Sequence, residues 1–321
     1  MPHVLVAGRI HEAGLSLLRS APGVTLDLVD EVSTESYAPI VDRADAVLIR
    51  TQPMPGSVIR AAARLKIVSR HGVGYDAVDV TALSAREIPL AVVGDVNSGP
   101  VAEHTMMLIL ALAKRTLLYD RSARNGGWAI RNTFGAVELE NRKLLLLGFG
   151  RIGRRVAKLA DAFGMEVMAY DPFVDEAAIR ADGVVPAPDL GLALEAADVV
   201  SVHIPMSQRR ALIGAAEFAR MKPSAFIVNT ARGGLIDEGA LVAALAEGRV
   251  AGAGLDVFEA EPPTAGAAFF DSDRVVLSPH SAGLTDECAA RMSIAAARNI
   301  LDFFEGRLDP RLVINPSVLK R

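Results

Sequence analysis

The sequence predicts an α/β protein made of two doubly wound parallel-sheet units. Short runs of β-branched and leucine residues alternate with helical stretches along the whole chain, the pattern of parallel sheets covered on both faces. A glycine-rich turn, Gly148 to Gly153, follows one such run near mid-chain and opens a helical stretch, so a second unit starts there. At 321 residues the chain is long for one domain and comfortable for two.

Val4–Ala7 reads as the first strand, and a helical stretch follows near Glu12 to Leu18. Val24–Val29, Ala46–Ile49, Leu65–Ser69 and Leu90–Val93 are the next strands, with helical pieces between them. Gly99-Pro100 then opens a long helix, expected over Val101 to Arg121. Its apolar positions are too continuous for a surface helix, which predicts one packed against two bodies. The second unit begins at Lys143–Leu147 and continues with strands Glu166–Tyr170, Val199–Val202, Ala225–Asn229, Gly252–Val257 and Val275–Leu277. The last helix is expected over Asp286 to Phe304. The tail beyond Gly306 carries Pro310 and Pro316, is too short for a third domain, and is expected to return to the first unit. The expected division is therefore discontinuous. Residues 1–99 and 286–321 form a flavodoxin-like domain, into which residues 100–285 insert as a Rossmann domain.

Composition narrows the function class. The chain is 51% hydrophobic and 22% charged, a globular balance that excludes disorder. Its net charge of −4 gives no reason to expect nucleic acid or an anionic membrane as a partner. The single cysteine, Cys288, rules out an intrachain disulfide and suits a reducing cytosol. The densest apolar stretch, Met106 to Ala113, falls far short of the roughly 20 residues a membrane span needs. Met1-Pro2-His3 lacks the basic start of a secretory signal. The expectation is a soluble cytoplasmic protein with no metal site.

Gly148-Phe149-Gly150-Arg151-Ile152-Gly153 fits the dinucleotide pattern in the right setting. Five apolar-rich residues precede it as a buried strand, and Arg154 to Phe163 follows with helical periodicity. Gly148 permits the tight turn, Gly150 lets the backbone approach a pyrophosphate, and Gly153 seats the helix on the strand. The helix N-terminus then offers unpaired N–H groups to phosphate. Asp171 lies 23 residues after Gly148, near the ~20-residue offset of a ribose-binding acid. A carboxylate there repels a 2′-phosphate, and Pro172, Phe173 and Val174 supply no base, so NAD is expected over NADP.

Carbonyl reduction needs a proton donor and a cation to hold the substrate. Of six histidines, His3 and His11 flank the first strand and read as surface groups, and His104 reads as packed or capping within the long helix. His203 follows the strand Val199–Val202 and suits either a cofactor contact or a structural role. His280 follows Val275–Leu277, at the carboxyl edge where open parallel sheets bind ligands. Arg232 and Glu261 follow two other strands on that edge. Spacing alone leaves their convergence open, since charged residues after strands are usually solvated.

Several blocks resemble the signatures of the D-isomer-specific 2-hydroxyacid dehydrogenases. They are Arg70 to Asp76, Asn97 to His104, Gly148 to Gly153, Asn229 to Gly234, Asp256 to Pro263 and Ser278 to Gly283, in order over nearly the whole chain. The resemblance implies that Arg232 binds the substrate carboxylate and carbonyl, that His280 is the acid/base, and that Glu261 pairs with it. It implies that Arg151 and Ile152 line the pyrophosphate, that Asp171 holds the ribose, and that His203, Thr230, Asp256 and Gly283 contact the cofactor. The backbone at Val73 and Gly74 would hold the substrate carboxylate. The family arrangement implies that residues 1–99 and 286–321 are the substrate-binding domain and 100–285 the NAD-binding one, with an active site in the cleft between two domains and a homodimer contact through the long helix. Ser281-Ala282 departs from the family's frequent Ile-Gly, and Glu259 competes with Glu261 for the pairing role. Arg50, Arg70 and Arg131 are similar in position to bases that bind phosphate in phosphoglycerate dehydrogenases. Hydroxypyruvate or glyoxylate, 3-phosphoglycerate and a bulkier hydroxyacid therefore all stand as substrates. A NAD(H)-sensing corepressor-like protein of the same fold is the alternative; a long disordered C-terminal extension would mark it, and none is seen.

Overall fold

Strands buried on both faces carry no polar alternation, and the central strands of both sheets, such as Ala46–Ile49 and Val199–Val202, are of this kind, whereas the edge strand Thr25–Val29 is not. The computed structural model describes residues 2–205, 211–264, 269–270 and 272–319. The chain divides into two units, Met1–Asn97 with Leu284–Arg321, and Ser98–Gly283.

The first unit holds β1 (His3–Ala7), β2 (Thr25–Val29), β3 (Ala46–Ile49), β4 (Ile67–Arg70) and β5 (Leu90–Ala91), all parallel in the order β2-β1-β3-β4-β5. This is the flavodoxin-like order, with its reversal between β1 and β3. All four residues of β3 are buried, and Val4 of β1 pairs with Leu26 on one side and Ala46 on the other. The helix Asp286–Phe304 covers one face. The Ser69 hydroxyl donates to the Ala296 carbonyl at 2.9 Å, and Asn299 Nδ2 donates to the Val92 carbonyl at 3.0 Å. The helix Glu12–Ser20 approaches the same helix so closely that a Cβ at Gly14 would sit 2.6 Å from the Ser293 carbonyl oxygen. The C-terminal tail runs along β5. Leu90 N donates to Asn315 Oδ1 at 2.9 Å, and Asn315 Nδ2 donates to the Ile88 carbonyl at 2.9 Å.

The second unit holds β6 (Lys143–Leu147), β7 (Glu166–Tyr170), β8 (Val185–Pro186), β9 (Val199–Val202), β10 (Phe226–Asn229), β11 (Gly252–Leu255) and β12 (Val275–Leu277). They form one parallel sheet in the order β12-β11-β10-β9-β6-β7-β8, a Rossmann arrangement that reverses between β6 and β9. The edge strand β8 is not anticipated by the sequence, because two residues, one of them proline, carry no period. The helix Ser98–Ala113 lies on β10 and β11, where glycine makes room: a Cβ at Gly254 would already touch Leu108 Cβ at 3.0 Å.

One expected element is corrected. The single helix predicted from Val101 to Arg121 is two, Ser98–Ala113 and Thr116–Arg124. Arg115, between them, is left-handed at φ +52°, which ends the first helix. The second segment buries none of its residues, so no packing holds the two in line. Among the described residues no helix is long and apolar enough to cross a membrane.

His71 at the end of β4 is 5% exposed, and its Nε2 lies 2.9 Å from Ser293 Oγ. Burial, helped by the charges of Arg50 and Arg70, pushes its pKa down to about 4. The unfolded chain binds this proton near pH 6.5, so the stability tied to the neutral ring is complete above that pH and is lost as pH falls towards 4. Chemical denaturation at pH 7 and pH 5 should show wild type losing up to roughly 1.4 kcal/mol per pH unit more than His71→Asn. Equal losses would remove His71 from the acid response.

Candidate active site

The glycine turn after β6 divides its work among three residues. Gly148 is at φ +100°, and a Cβ there would lie 2.7 Å from Ile204 Cγ2 and 2.8 Å from the His203 carbonyl. A Cβ at Gly153 would overlap the Gly148 carbonyl oxygen, so the helix Arg151–Ala162 can seat on its strand only with glycine. A Cβ at Gly150 would meet no protein atom within 4 Å. The space above Gly150 is open, beside the unpaired N–H groups of a helix start. Arg151 is exposed there and Ile152 half-buried. Asp171, just past β7, ties this turn down: it accepts from Phe149 N at 2.8 Å and from Phe173 N at 2.9 Å.

His203 borders the same turn. Its Nε2 meets Ser201 Oγ at 2.8 Å, while its Nδ1 is buried with no hydrogen-bond partner among the described residues. Burial drives its pKa down to about 3, so the ring is neutral. An orphaned ring nitrogen, an open helix start and free space over Gly150 together fit a bound dinucleotide.

Three loops at the carboxyl edge of the same sheet carry the polar chemistry. After β10, Asn229 is 2% exposed and builds the turn: Oδ1 accepts from Ala231 N at 3.0 Å, and Nδ2 donates to the Arg232 carbonyl at 2.8 Å. Arg232 Nη1 donates to the Ala231 carbonyl at 2.7 Å. Gly233 backs directly onto the Phe258 carbonyl, where any Cβ would overlap it. The Arg232 turn and the segment leading to Glu261 are thus in contact. Thr230 is buried and bonds Thr105 Oγ1 at 2.9 Å.

Glu261 spans two partners. Its Oε1 accepts from Phe258 N at 3.1 Å, and its Oε2 lies 2.6 Å from His280 Nδ1. Glu259 is engaged elsewhere: it accepts from Glu238 N at 3.1 Å, and its own N–H donates to Glu238 Oε1 at 2.7 Å. Burial, with the negative charge of Glu259, raises the Glu238 pKa. His280 is half exposed, and its backbone is left-handed at φ +51°. Asp256, expected at the cofactor, is 1% exposed and spends its carboxylate on this loop: Ser278 Oγ, Ser281 N and Ala282 N all donate to it. Any cofactor contact would come in addition to that. Gly283 ends the same loop, half-buried. The departure at Ser281-Ala282 enters through backbone N–H groups alone.

Arg50, Val73 and Gly74 belong to the other unit. Arg50 is half-buried, its Nη1 donates to the Arg9 carbonyl at 2.9 Å, and burial together with the charge of Arg9 lowers its pKa. It lines a cleft of about 540 Å³ at the β1/β3 reversal, with Gly8, Arg9, His11 and His71. Val73 and Gly74 are half-buried after β4. Arg70 Nη1 donates to the His71 carbonyl at 2.7 Å, and Arg131 is exposed in the short helix Trp128–Thr133 of the second unit. Sequence reasoning missed Asn229 and Ser278. An asparagine at a strand end before Thr-Ala is a turn former, which was a usable signal; Ser278 offered none. Among the described residues no cluster could hold a metal ion.

Residues 106–282 match the family model for the D-isomer specific 2-hydroxyacid dehydrogenase, NAD binding domain. The D-3-phosphoglycerate dehydrogenase of Archaeoglobus fulgidus is 36% identical over 98% of this chain, which spans 60% of that relative's length. The glyoxylate reductase of Korarchaeum cryptofilum is 36% identical over 99% of this chain and 97% of its own. The solved structure of D-lactate dehydrogenase from Aquifex aeolicus, with NAD and lactic acid, superposes with a TM-score of 0.88 at 26% identity, covering 97% of this chain and 99% of that one.

The turn predicts opposite outcomes for two glycines. Gly150→Ala should keep the melting temperature and weaken NADH binding tenfold or more, because its Cβ enters only the open space. Gly153→Ala should lower the melting temperature by several degrees, since the helix must shift. Thermal melts and NADH fluorescence titration of both variants check this; a stable Gly153→Ala would sink the division of labour.

Proposed function

The chain belongs to the D-isomer specific 2-hydroxyacid dehydrogenase family, and on that premise we propose that it is an NAD-dependent oxidoreductase interconverting a small D-2-hydroxyacid and its 2-oxoacid. The observation that carries the reading is the 2.6 Å contact between Glu261 Oε2 and His280 Nδ1, which leaves His280 Nε2 for the substrate oxygen. Bound NAD supplies the hydride acceptor or donor for C2. His280 Nε2 gives its proton to the carbonyl oxygen in reduction and takes it from the hydroxyl in oxidation. Glu261 stabilises the imidazolium and orients the ring through Nδ1, and Phe258 N fixes Glu261 in turn. Arg232 holds the substrate carboxylate with two parallel N–H groups, presented by the Asn229 turn. The proposed substrate groups in the first unit are Arg50 and the backbone of Val73 and Gly74. Asp171, Arg151, Ile152, His203, Thr230 and Gly283 are the proposed cofactor contacts, with the backbone of Gly148, Gly150 and Gly153.

Arg50 and Arg9 line one cleft and, among the described residues, neither has a carboxylate partner within 4 Å. These two guanidinium groups, beside Glu12 and Asp30 of the same lining, support a substrate with a second anionic group, such as a phosphate. Exposed apolar side chains, Trp128 at 69% and Phe134 at 88%, support a homodimer contact in the second unit.

NADH oxidation with a panel of 2-oxoacids tests the activity. Phosphohydroxypyruvate should be reduced at least tenfold more efficiently than hydroxypyruvate; equal efficiency would remove the phosphate reading. His280→Ala should cost on the order of 10²–10⁴ in rate. Glu261→Gln should cost tenfold or more while Glu259→Gln costs little; the reverse order would mean the wrong glutamate is assigned. Light scattering should give the mass of two chains, and Trp128→Glu with Phe134→Glu should give one; a wild-type monomer overturns the dimer.

A further inference from the structure

We propose that His104, on the helix Ser98–Ala113, is a positioning residue for His280, acting through Ser278 and Asp256. The proposal rests on His280 being the proton-transfer group. His280 sits at φ +51°, a conformation that L residues adopt only when their surroundings impose it. Asp256 imposes it. Its carbonyl accepts from His280 N at 2.7 Å, and its carboxylate accepts from Ser278 Oγ at 2.6 Å, Ser281 N at 2.8 Å and Ala282 N at 3.0 Å. One residue thus grips the loop on both sides of the histidine.

A carboxylate that is 1% exposed has given up water and depends on its protein donors. Ser278 has one hydroxyl proton, and the 2.6 Å contact spends it on Asp256. At the 2.8 Å contact with His104 Nε2, the Ser278 oxygen must therefore accept, and the imidazole must carry its proton on Nε2. The chain of donors runs from His104 through Ser278 and ends on the buried carboxylate. His104 Nε2 is also 3.7 Å from Asp256 Oδ1, and among the described residues no lysine or arginine comes within 4 Å of that carboxylate. The helix that carries His104 is a fixed platform: Thr105 bonds Thr230 at 2.9 Å, and Leu108 packs on Gly254 two residues before Asp256. Without the His104 donor, Ser278 is free to turn its proton away, and the grip on residues 280–282 loosens. His280 then loses the pose that aims Nε2, while the glycine turn and Asp171 are untouched.

His104→Leu fills the space without a donor, and His104→Gln places an amide N–H near the lost Nε2. In wild type the amides of Ser281 and Ala282 should be protected from hydrogen exchange. His104→Leu should speed their exchange tenfold or more in protein without cofactor, and lower kcat for 2-oxoacid reduction about tenfold. KM and the NADH Kd should stay within twofold, and His104→Gln should restore most of both losses. Ser278→Ala should reproduce the Leu phenotype, and the double variant should be no worse than Ser278→Ala alone. This arm decides the matter if His104→Leu fails to fold. Wild-type exchange and kcat in His104→Leu, or a Gln variant as impaired as Leu, overturns the proposal. Additive losses in the double variant overturn it too. If wild type reduces no oxoacid, the proposed function fails, and the exchange measurements still decide the clamp.

Discussion

Asp256 follows β11 with 1% of its surface exposed, and a carboxylate so placed must find donors within the protein. It finds all three in the residues that flank His280. The consequence is geometric. The loop after β12 cannot relax into an ordinary right-handed turn while both carboxylate oxygens and the Asp256 carbonyl hold it, so His280 stays left-handed with Nδ1 on Glu261. Glu261 is held in the same manner by Phe258 N, and Phe258 lies against Gly233 of the arginine turn. The three loops therefore brace one another, and the candidate acid/base, its carboxylate and the candidate anchor share one support.

The two ends of the second unit's sheet edge treat histidine in opposite ways. His203 is half-buried beside the glycine turn with its Nδ1 enclosed, and desolvation pushes its pKa down to about 3, so the ring is neutral. His280 is half exposed beside a carboxylate, its Nδ1 2.6 Å from Glu261 Oε2. The contrast comes from the neighbours: Ser201 offers His203 a hydroxyl, while Glu261 offers His280 a charge. The same residue type is thus held as a half-buried ring beside a hydroxyl at one place and as an exposed ring beside a carboxylate at the other.

In the first unit, buried polar groups fix register where apolar packing alone would allow sliding. Ser69 and Asn299 pin the helix Asp286–Phe304 to the sheet, and Asn315 pins the tail to β5. Each is matched by a backbone group, so burial costs little. The cleft at the β1/β3 reversal follows from the strand order itself, because loops from neighbouring strands diverge there.

Much of this was legible in the sequence. Alternating strand and helix patterns, the dinucleotide turn with Asp171, and polar residues after Asn229, Leu255 and Leu277 followed from period and spacing, which local chemistry sets. The break at Arg115 and the strand Val185–Pro186 were not legible, since a helix continues or stops by what its next turn can bury. Residue spacing left Glu259 and Glu261 equally open as partners of His280, since both lie on the same short segment, and only the family resemblance favoured Glu261. Only the folded chain decides it, because Glu238, on a helix that follows a different strand, takes Glu259 and leaves Glu261 to the histidine. Pairing across loops is a property of three-dimensional neighbours, and residue order does not contain it.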